Sequence, residues 1–331
     1  MAKYELLDQD TDGFFRIRAL RDIPTAGVLT GDLGGRVASE ANLSQEDGDN
    51  AWVFDEALVI ESACAFDNAQ IKDNAQVYGY AQIFGASVVC EYGCVYGDAW
   101  LYGSPVISGN AQVFEGAQVY DNARAYGNAS IHGNSQLFGA AEVYEYADFY
   151  ENAHAYDAAK MYGNAKIYGD TIVCESAQVL GDAQVYGMAV VTGEALVYDS
   201  ARIYGMTMIS GGAQVYWYAM IYGDARVQEN ARVYGNAQVF ERATVSGGAQ
   251  IYENARVFGD SRVRGAARVY GFAQVYRDAQ VYKRAQVGAG SRVYGSARVT
   301  DDAFIGEEAR IYGTARIAGT TRVEGNERVE Q

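Results

Sequence analysis

His132 and His154 are the only two histidines in 331 residues, and so the only side chains whose unperturbed pKa lies near neutrality. They are the default general bases for any proton transfer the chain performs. No motif places an Asp or Glu to orient either ring, and the alternative is two ordinary surface residues. Arg226, Arg262, Arg264, Arg298 and Arg316 form a second constellation. On one face they would grip phosphate groups through forked hydrogen bonds; the plainer alternative is that they keep a surface soluble. No glycine-rich phosphate loop, serine nucleophile motif or metal-ligand cluster accompanies them.

What must position these residues is a repeat. Every residue from Ala51 to Asn326 falls into consecutive hexads, 46 of them, without an insertion or deletion. The word is small, variable, aliphatic, aromatic, Gly or acidic, Asn or Asp. Its first position is Ala in 37 copies, and its third is Val or Ile in 39. Small and aliphatic residues two apart share one face of a strand, whereas a helical stripe needs spacings of three and four. Each hexad therefore reads as a short strand that buries its first and third residues and ends in a Gly/Asn/Asp corner. Six residues per side predicts triangular coils of 18 residues.

The 46 hexads make about 15 coils, which at roughly 4.8 Å per strand spacing is a rod about 70 Å long. One coil buries three aliphatic side chains worth ~2 kcal/mol each. That falls far short of the ~1.5 kcal/mol per residue lost on ordering it, so stability must come from stacking. Volume compensation supports the register: Phe149 shares its coil with Ala155, and Leu137 with Ala125, large opposite small.

The rest of the composition agrees. Two prolines suit a chain that hydrogen-bonds nearly everywhere, and 27 tyrosines suit a pleated, half-buried surface. Residues 1 to 200 hold 9 Lys/Arg against 29 Asp/Glu, and residues 201 to 331 hold 17 against 13. The molecule is expected to be dipolar, which argues against nucleic acid along the acidic half and permits anionic ligands near the other end. The start has no signal-peptide pattern and nowhere do 18 apolar residues run together, so neither secretion nor a membrane is expected. Cys64, Cys90, Cys94 and Cys174 lack disulfide or zinc spacing and read as free thiols of a reducing cytoplasm.

A small residue two places before an aliphatic, with Asn or Asp at the corner, resembles the hexapeptide-repeat left-handed β-helix of the trimeric LpxA-like acyltransferases. The preceding segment GDLGGRVASEANLSQ (Gly31 to Gln45), running into AWVFDEA (Ala51 to Ala57), looks like the opening of the YdcK-like family of bacterial proteins, described as acetyltransferases. The resemblance implies a left-handed coil, which the usual preference for right-handed crossovers would not predict. It also implies acyl-CoA as co-substrate, with His132 or His154 as base and the arginines on the CoA phosphates, and a homotrimer. One departure matters: such enzymes interrupt their coils with loops that help form the active site, and this repeat has none. A non-catalytic scaffold or binding solenoid is the alternative.

The expected architecture is therefore all-β. It is a single-stranded left-handed parallel β-helix of about 15 triangular coils (51–331) behind an N-terminal cap (1–50). Asp12-Gly13 predicts a hairpin turn in the cap, and the glycine pairs before Arg36 a tight approach to the first coil. Positions 18 apart stack in columns. One fourth-position column runs through Tyr78, Tyr96, Phe114, His132 and Tyr150. It reads as a structural ladder of rings, or as a surface for a sugar or a subunit. Another loses its aromatics at Cys174, Thr192, Ser210, Gln228, Ser246 and Arg264. Beside this gap stand Ile172, Val190 and Met208, with Met188 and Met206 at the corner before it. Such an apolar patch is where a partner or next subunit is expected to pack. His132 replaces a ladder aromatic. His154 lies one coil on, above Gln136, on the order of 10 Å away by strand geometry.

Overall fold

The computed structural model describes residues 2–330, which divide into two compact units, 2–168 and 169–330. The first opens with three cap strands, β1 (Tyr4–Gln9), β2 (Phe15–Ala19) and β3 (Leu33–Val37). β1 and β2 pair antiparallel across the predicted turn, where Gly13 takes φ +89° and Asp10 Oδ1 accepts the amides of Asp12 and Phe14 at 3.0 and 2.9 Å. β3 pairs antiparallel with β2 and parallel with the rung Leu58–Val59. The glycine pair makes that junction possible: a Cβ at Gly34 would lie 2.6 Å from the Val53 carbonyl oxygen, and one at Gly35 2.6 Å from that of Ala57.

Beyond β3, fully buried Asn42 donates its amide to the carbonyls of Glu61 and Ala63 at 3.0 and 2.8 Å, and Leu43 bridges to Ala65. The cap thus satisfies backbone groups of the first coil on two sides. Between them sits a buried ion pair, Lys3 Nζ to Asp49 Oδ1 at 2.7 Å, with Lys3 also donating to the Ala51 carbonyl at 3.0 Å. Desolvation leads in pulling the Lys3 ammonium below the usual lysine range, and Asp49 opposes it.

The hexads of this unit form two-residue parallel rungs on three faces, which we call first, second and third after Trp52–Val53, Leu58–Val59 and Cys64–Ala65. Register is 18 residues, as in Val88↔Val106, Cys94↔Gln112 and Trp100↔Gln118. The first and third positions are buried as expected; Ala111, Val113, Phe149, Ala155, Leu137 and Ala125 are all at 0% exposure. Within a rung the second- and fourth-position amides bond to the coil above, as in Gln112 to Ala129 (2.8 Å) and Phe114 to Ile131 (3.0 Å). At many corners a first-position amide also bonds back to the preceding fourth-position carbonyl, as in Ala75 to Lys72 (3.1 Å). Pro105 has no amide to close its corner, and the strand before it runs on as Trp100–Gly103. There Phe84 tilts against Trp100 at 6.1 Å, and Phe84, Trp100, Tyr102 and Gln118 line a shallow groove of about 300 Å³.

Residues 169–330 repeat the same construction with nine rungs on each of three faces. The last, Arg328–Glu330, pairs with Arg310–Tyr312 and lies beyond the final complete hexad. Ladders of rings stand outside both units. In the first, Tyr78–Tyr96, Tyr96–Phe114 and Tyr126–Tyr144 stack at 4.8, 4.8 and 4.7 Å. In the second, Tyr198–Tyr216, Tyr216–Tyr234 and Phe240–Phe258 do so at 4.8, 4.9 and 4.7 Å. Near-parallel rings at rung spacing are what equal residues on adjacent parallel strands must give.

Candidate functional site

His132 ends the rung Ser130–Ile131 on the second face, and its amide is held by the Phe149 carbonyl at 3.0 Å. Its ring is a member of the ladder, stacked on Phe114 at 4.6 Å and on Tyr150 at 5.0 Å, with 24% of the side chain exposed. Nε2 lies 3.0 Å from Asp148 Oδ1, and Nδ1 lies 3.8 Å from Glu115 Oε2. The expectation that no carboxylate orients this histidine is therefore corrected. The reason is general to the coil: a fourth-position side chain leans onto the second position of the next coil, 16 residues on. Tyr96, Tyr120 and Tyr126 reach Gln112, Gln136 and Glu142 in the same way, at 3.3, 3.4 and 3.3 Å. Both ring nitrogens of His132 face carboxylates, so a substrate proton has to displace one of them.

His154 stands at the second position of the rung His154–Ala155 on the third face, in register with Gln136. The two histidines make no hydrogen bond to each other and have no shared partner among the described residues.

Arg226, Arg262, Arg298 and Arg316 share the second-position column of the third face in residues 169–330. Thr244 lies between Arg226 and Arg262, and Gln280 between Arg262 and Arg298, whereas Arg298 and Arg316 are on adjacent rungs. Arg264 leaves that column and lies over the Tyr282 ring at 5.2 Å. Arg226, Thr244 and Arg262 line a groove of about 230 Å³ together with Asp224, Arg242 and Asp260, and Arg242 is paired with Asp260 at 2.6 Å. The predicted cation column exists, but two carboxylates share its floor.

Ile172, Val190 and Met208 are in register on adjacent rungs of the same face, flanked by Met188 and Met206, which are 56% and 58% exposed. The cleared column beside them has its own contacts. Cys174 donates to Thr192 at 3.3 Å, Gln228 reaches the Met208 sulfur at 3.9 Å, and the Ser246 amide bonds the Val263 carbonyl at 2.9 Å. The expected patch, with Ser210 in the cleared column, is thus one contiguous strip. Cys64, Cys90, Cys94 and Cys174 are free thiols, and burial pushes the first three up from the usual thiol range.

Two further features of the coils escaped sequence reasoning. Acidic residues at the fifth position adopt left-handed φ, and their carboxylates accept the amide of the residue 18 further on, as in Glu61 to Gly79 (2.8 Å), Glu145 to Gly163 (2.8 Å) and Glu253 to Gly271 (2.7 Å). The spacing was legible, but an acid at a corner reads simply as a turn residue. The second is a groove of about 430 Å³ in residues 169–330, lined by Ser200, Arg202, Tyr218, Met220, Asn236 and Gln238. Its signal was the one tryptophan at a fifth position, Trp217.

A family model described as the YdcK beta solenoid repeat matches residues 117–133, 219–235 and 249–265. No curated protein matches the chain. Each match spans about one coil, and the three begin on the third, second and first face in turn, so the model recognises the hexad from every side of the prism. No helix of the described residues is long and apolar enough to cross a membrane. The rungs, register and repeat thus form a parallel β-solenoid, and over those three stretches the chain is similar to the YdcK beta solenoid repeat.

Proposed function

We propose that the protein is a non-catalytic binding solenoid, a rigid array that holds fixed columns of aromatic, apolar and charged side chains against a ligand or partner. The supporting observation is the unbroken register. The hexads from Ala51 to Asn326 follow one another without an inserted loop, and the grooves that result are shallow and open along the faces. Catalysis wants groups converging on one water-excluded point, whereas parallel columns suit extended contact. In this reading the strip of Ile172, Val190, Met208, Met188 and Met206 packs a second copy of the chain, and the free thiols fit a reducing cytoplasm.

One observation favours a second reading, CoA-dependent acyl transfer. Asp148 beside His132 at 3.0 Å is the orienting group that a histidine base requires, and Arg262 with Arg298 would take the CoA phosphates. The two readings separate on thermal stability with millimolar CoA or acetyl-CoA, because a ligand that binds only the folded state raises its midpoint. The binding-solenoid reading expects no shift. A shift that disappears in Arg262→Gln/Arg298→Gln would overturn it in favour of acyl transfer.

A further inference from the structure

We infer that residues 169–330 carry a binding site for an acidic sugar, a hexose bearing a carboxylate, in the groove bounded by Arg202, Tyr218 and Gln238. The inference rests on the reading of the chain as a binding solenoid and names a ligand class for it.

The groove spans three adjacent rungs. Arg202, Met220 and Gln238 are in register along the second face and form its floor. Ser200, Tyr218 and Asn236, each at the sixth position of the preceding hexad, form its wall. From Arg202 to Gln238 is two rung spacings, on the order of 10 Å, and the open groove has a volume of about 430 Å³. Such a size suits a small molecule.

One side chain here breaks the rule that the rest of the unit obeys. Trp217 holds φ +60°, at a position that elsewhere in residues 169–330 is Gly, Asp, Glu, Ala, Arg or Lys. A bulky residue in that region costs on the order of 1–3 kcal/mol and persists only where its surroundings hold it. Edge-on contacts to Tyr216 at 5.7 Å and Tyr234 at 5.8 Å supply the hold. The corner so fixed presents Tyr218 with 67% of its surface open. The guanidinium of Arg202 is uncommitted: Arg242, Lys283, Arg284 and Arg322 of the same unit are each paired with a carboxylate, whereas the Arg202 side chain, like those of other arginines in the unit, makes no ion pair or hydrogen bond among the described residues.

An exposed aromatic face, an uncommitted guanidinium and three neutral polar side chains call for one kind of ligand. The C–H face of a pyranose packs on a tyrosine ring. Its hydroxyls exchange hydrogen bonds with Ser200, Asn236 and Gln238. A carboxylate takes the guanidinium fork in two parallel bonds. A neutral sugar would leave Arg202 unused, and inorganic phosphate would leave Tyr218 unused.

Calorimetric titration of the full chain with sodium glucuronate, methyl glucoside and inorganic phosphate tests the site. Glucuronate should bind at least tenfold tighter than either of the others. Arg202→Gln should reduce glucuronate to the affinity of the glucoside, and Tyr218→Ala should weaken both sugars tenfold or more. Arg268→Gln, on another face, should change nothing. Absence of glucuronate binding, phosphate binding as tight as glucuronate, or an equal loss in Arg268→Gln would each overturn the proposal. Since Tyr218 is exposed, Tyr218→Ala should keep its thermal midpoint; Tyr218→Phe, which retains the ring, should bind like the wild type and would contradict the stacking role if it did not. Acetyl-CoA turnover in the same protein would sink the non-catalytic reading while leaving this site standing.

Discussion

Glu91 Oε2 accepts the amide hydrogen of Gly109, 18 residues along the chain, at 2.6 Å. The same relation joins Asp73 to Glu91 at 2.8 Å and Glu115 to Gly133 at 2.9 Å within residues 2–168, and Glu229 to Gly247 at 2.6 Å within residues 169–330. Corner amides point along the stack, where the ladder bonds of the rungs do not reach them, and a carboxylate on the previous coil meets them. The acidic excess of the chain is therefore in part structural.

Glu91→Ala should free the Gly109 amide. A hydrogen bond from a neutral donor to an exposed carboxylate is worth about 1 kcal/mol net, so exchange of the Gly109 amide with solvent should speed up about fivefold, while Glu91→Gln keeps an acceptor and loses less. Unchanged exchange in Glu91→Ala would show that the bond carries no stability.

The stacked tyrosines give a signature at high pH. Burial in the ladders pushes Tyr120, Tyr144 and Tyr150 up to about 12, with neighbouring tyrosines and acids adding to the effect. An unfolded tyrosine ionises near ~10. A folded pKa raised above the unfolded one means that the stabilisation is complete below about pH 10 and is lost as pH rises through 12. Stability should thus be insensitive to tyrosine ionisation up to pH ~10 and decline above it, with phenolate absorbance appearing together with unfolding. Tyr144→Phe should flatten part of that decline; phenolate forming near pH 10 in a folded protein would contradict it.

Met208→Glu places a charge in the middle of the apolar strip, between Val190 and Arg226 in register. If two copies pack there, the substitution should shift sedimentation toward the monomer and weaken association by at least tenfold, and the thermal midpoint should lose its dependence on protein concentration. The same sedimentation profile in wild type and variant would place any interface elsewhere.

The fold was readable because one rule, small and aliphatic two apart in a word of six, holds at most rungs, and burial of Ala111 with Val113 or Ala255 with Val257 follows from it directly. The cap hairpin and the glycine junction were readable from turn chemistry at Asp12-Gly13 and Gly34-Gly35. Columns of positions 18 apart were readable too, but polar contacts between coils were not, because they appear only once spacings of 16 and 18 are tied to particular atoms. That is why Asp148 was missed beside His132, and why fifth-position acids were taken for ordinary turn residues. Lys3 and Asp49 were missed for a different reason: two charges 46 residues apart carry no periodic signal, and only the closed cap brings them to 2.7 Å.

The central claim is that this solenoid binds and does not transfer acyl groups, and release of free CoA thiol from millimolar acetyl-CoA tests it most directly. With amine and hydroxyl acceptors supplied, the account predicts the background rate, equal in wild type, His132→Ala and Asp148→Asn. A rate above background that falls at least tenfold in both variants would contradict it and make His132 and Asp148 the base and its orienting partner.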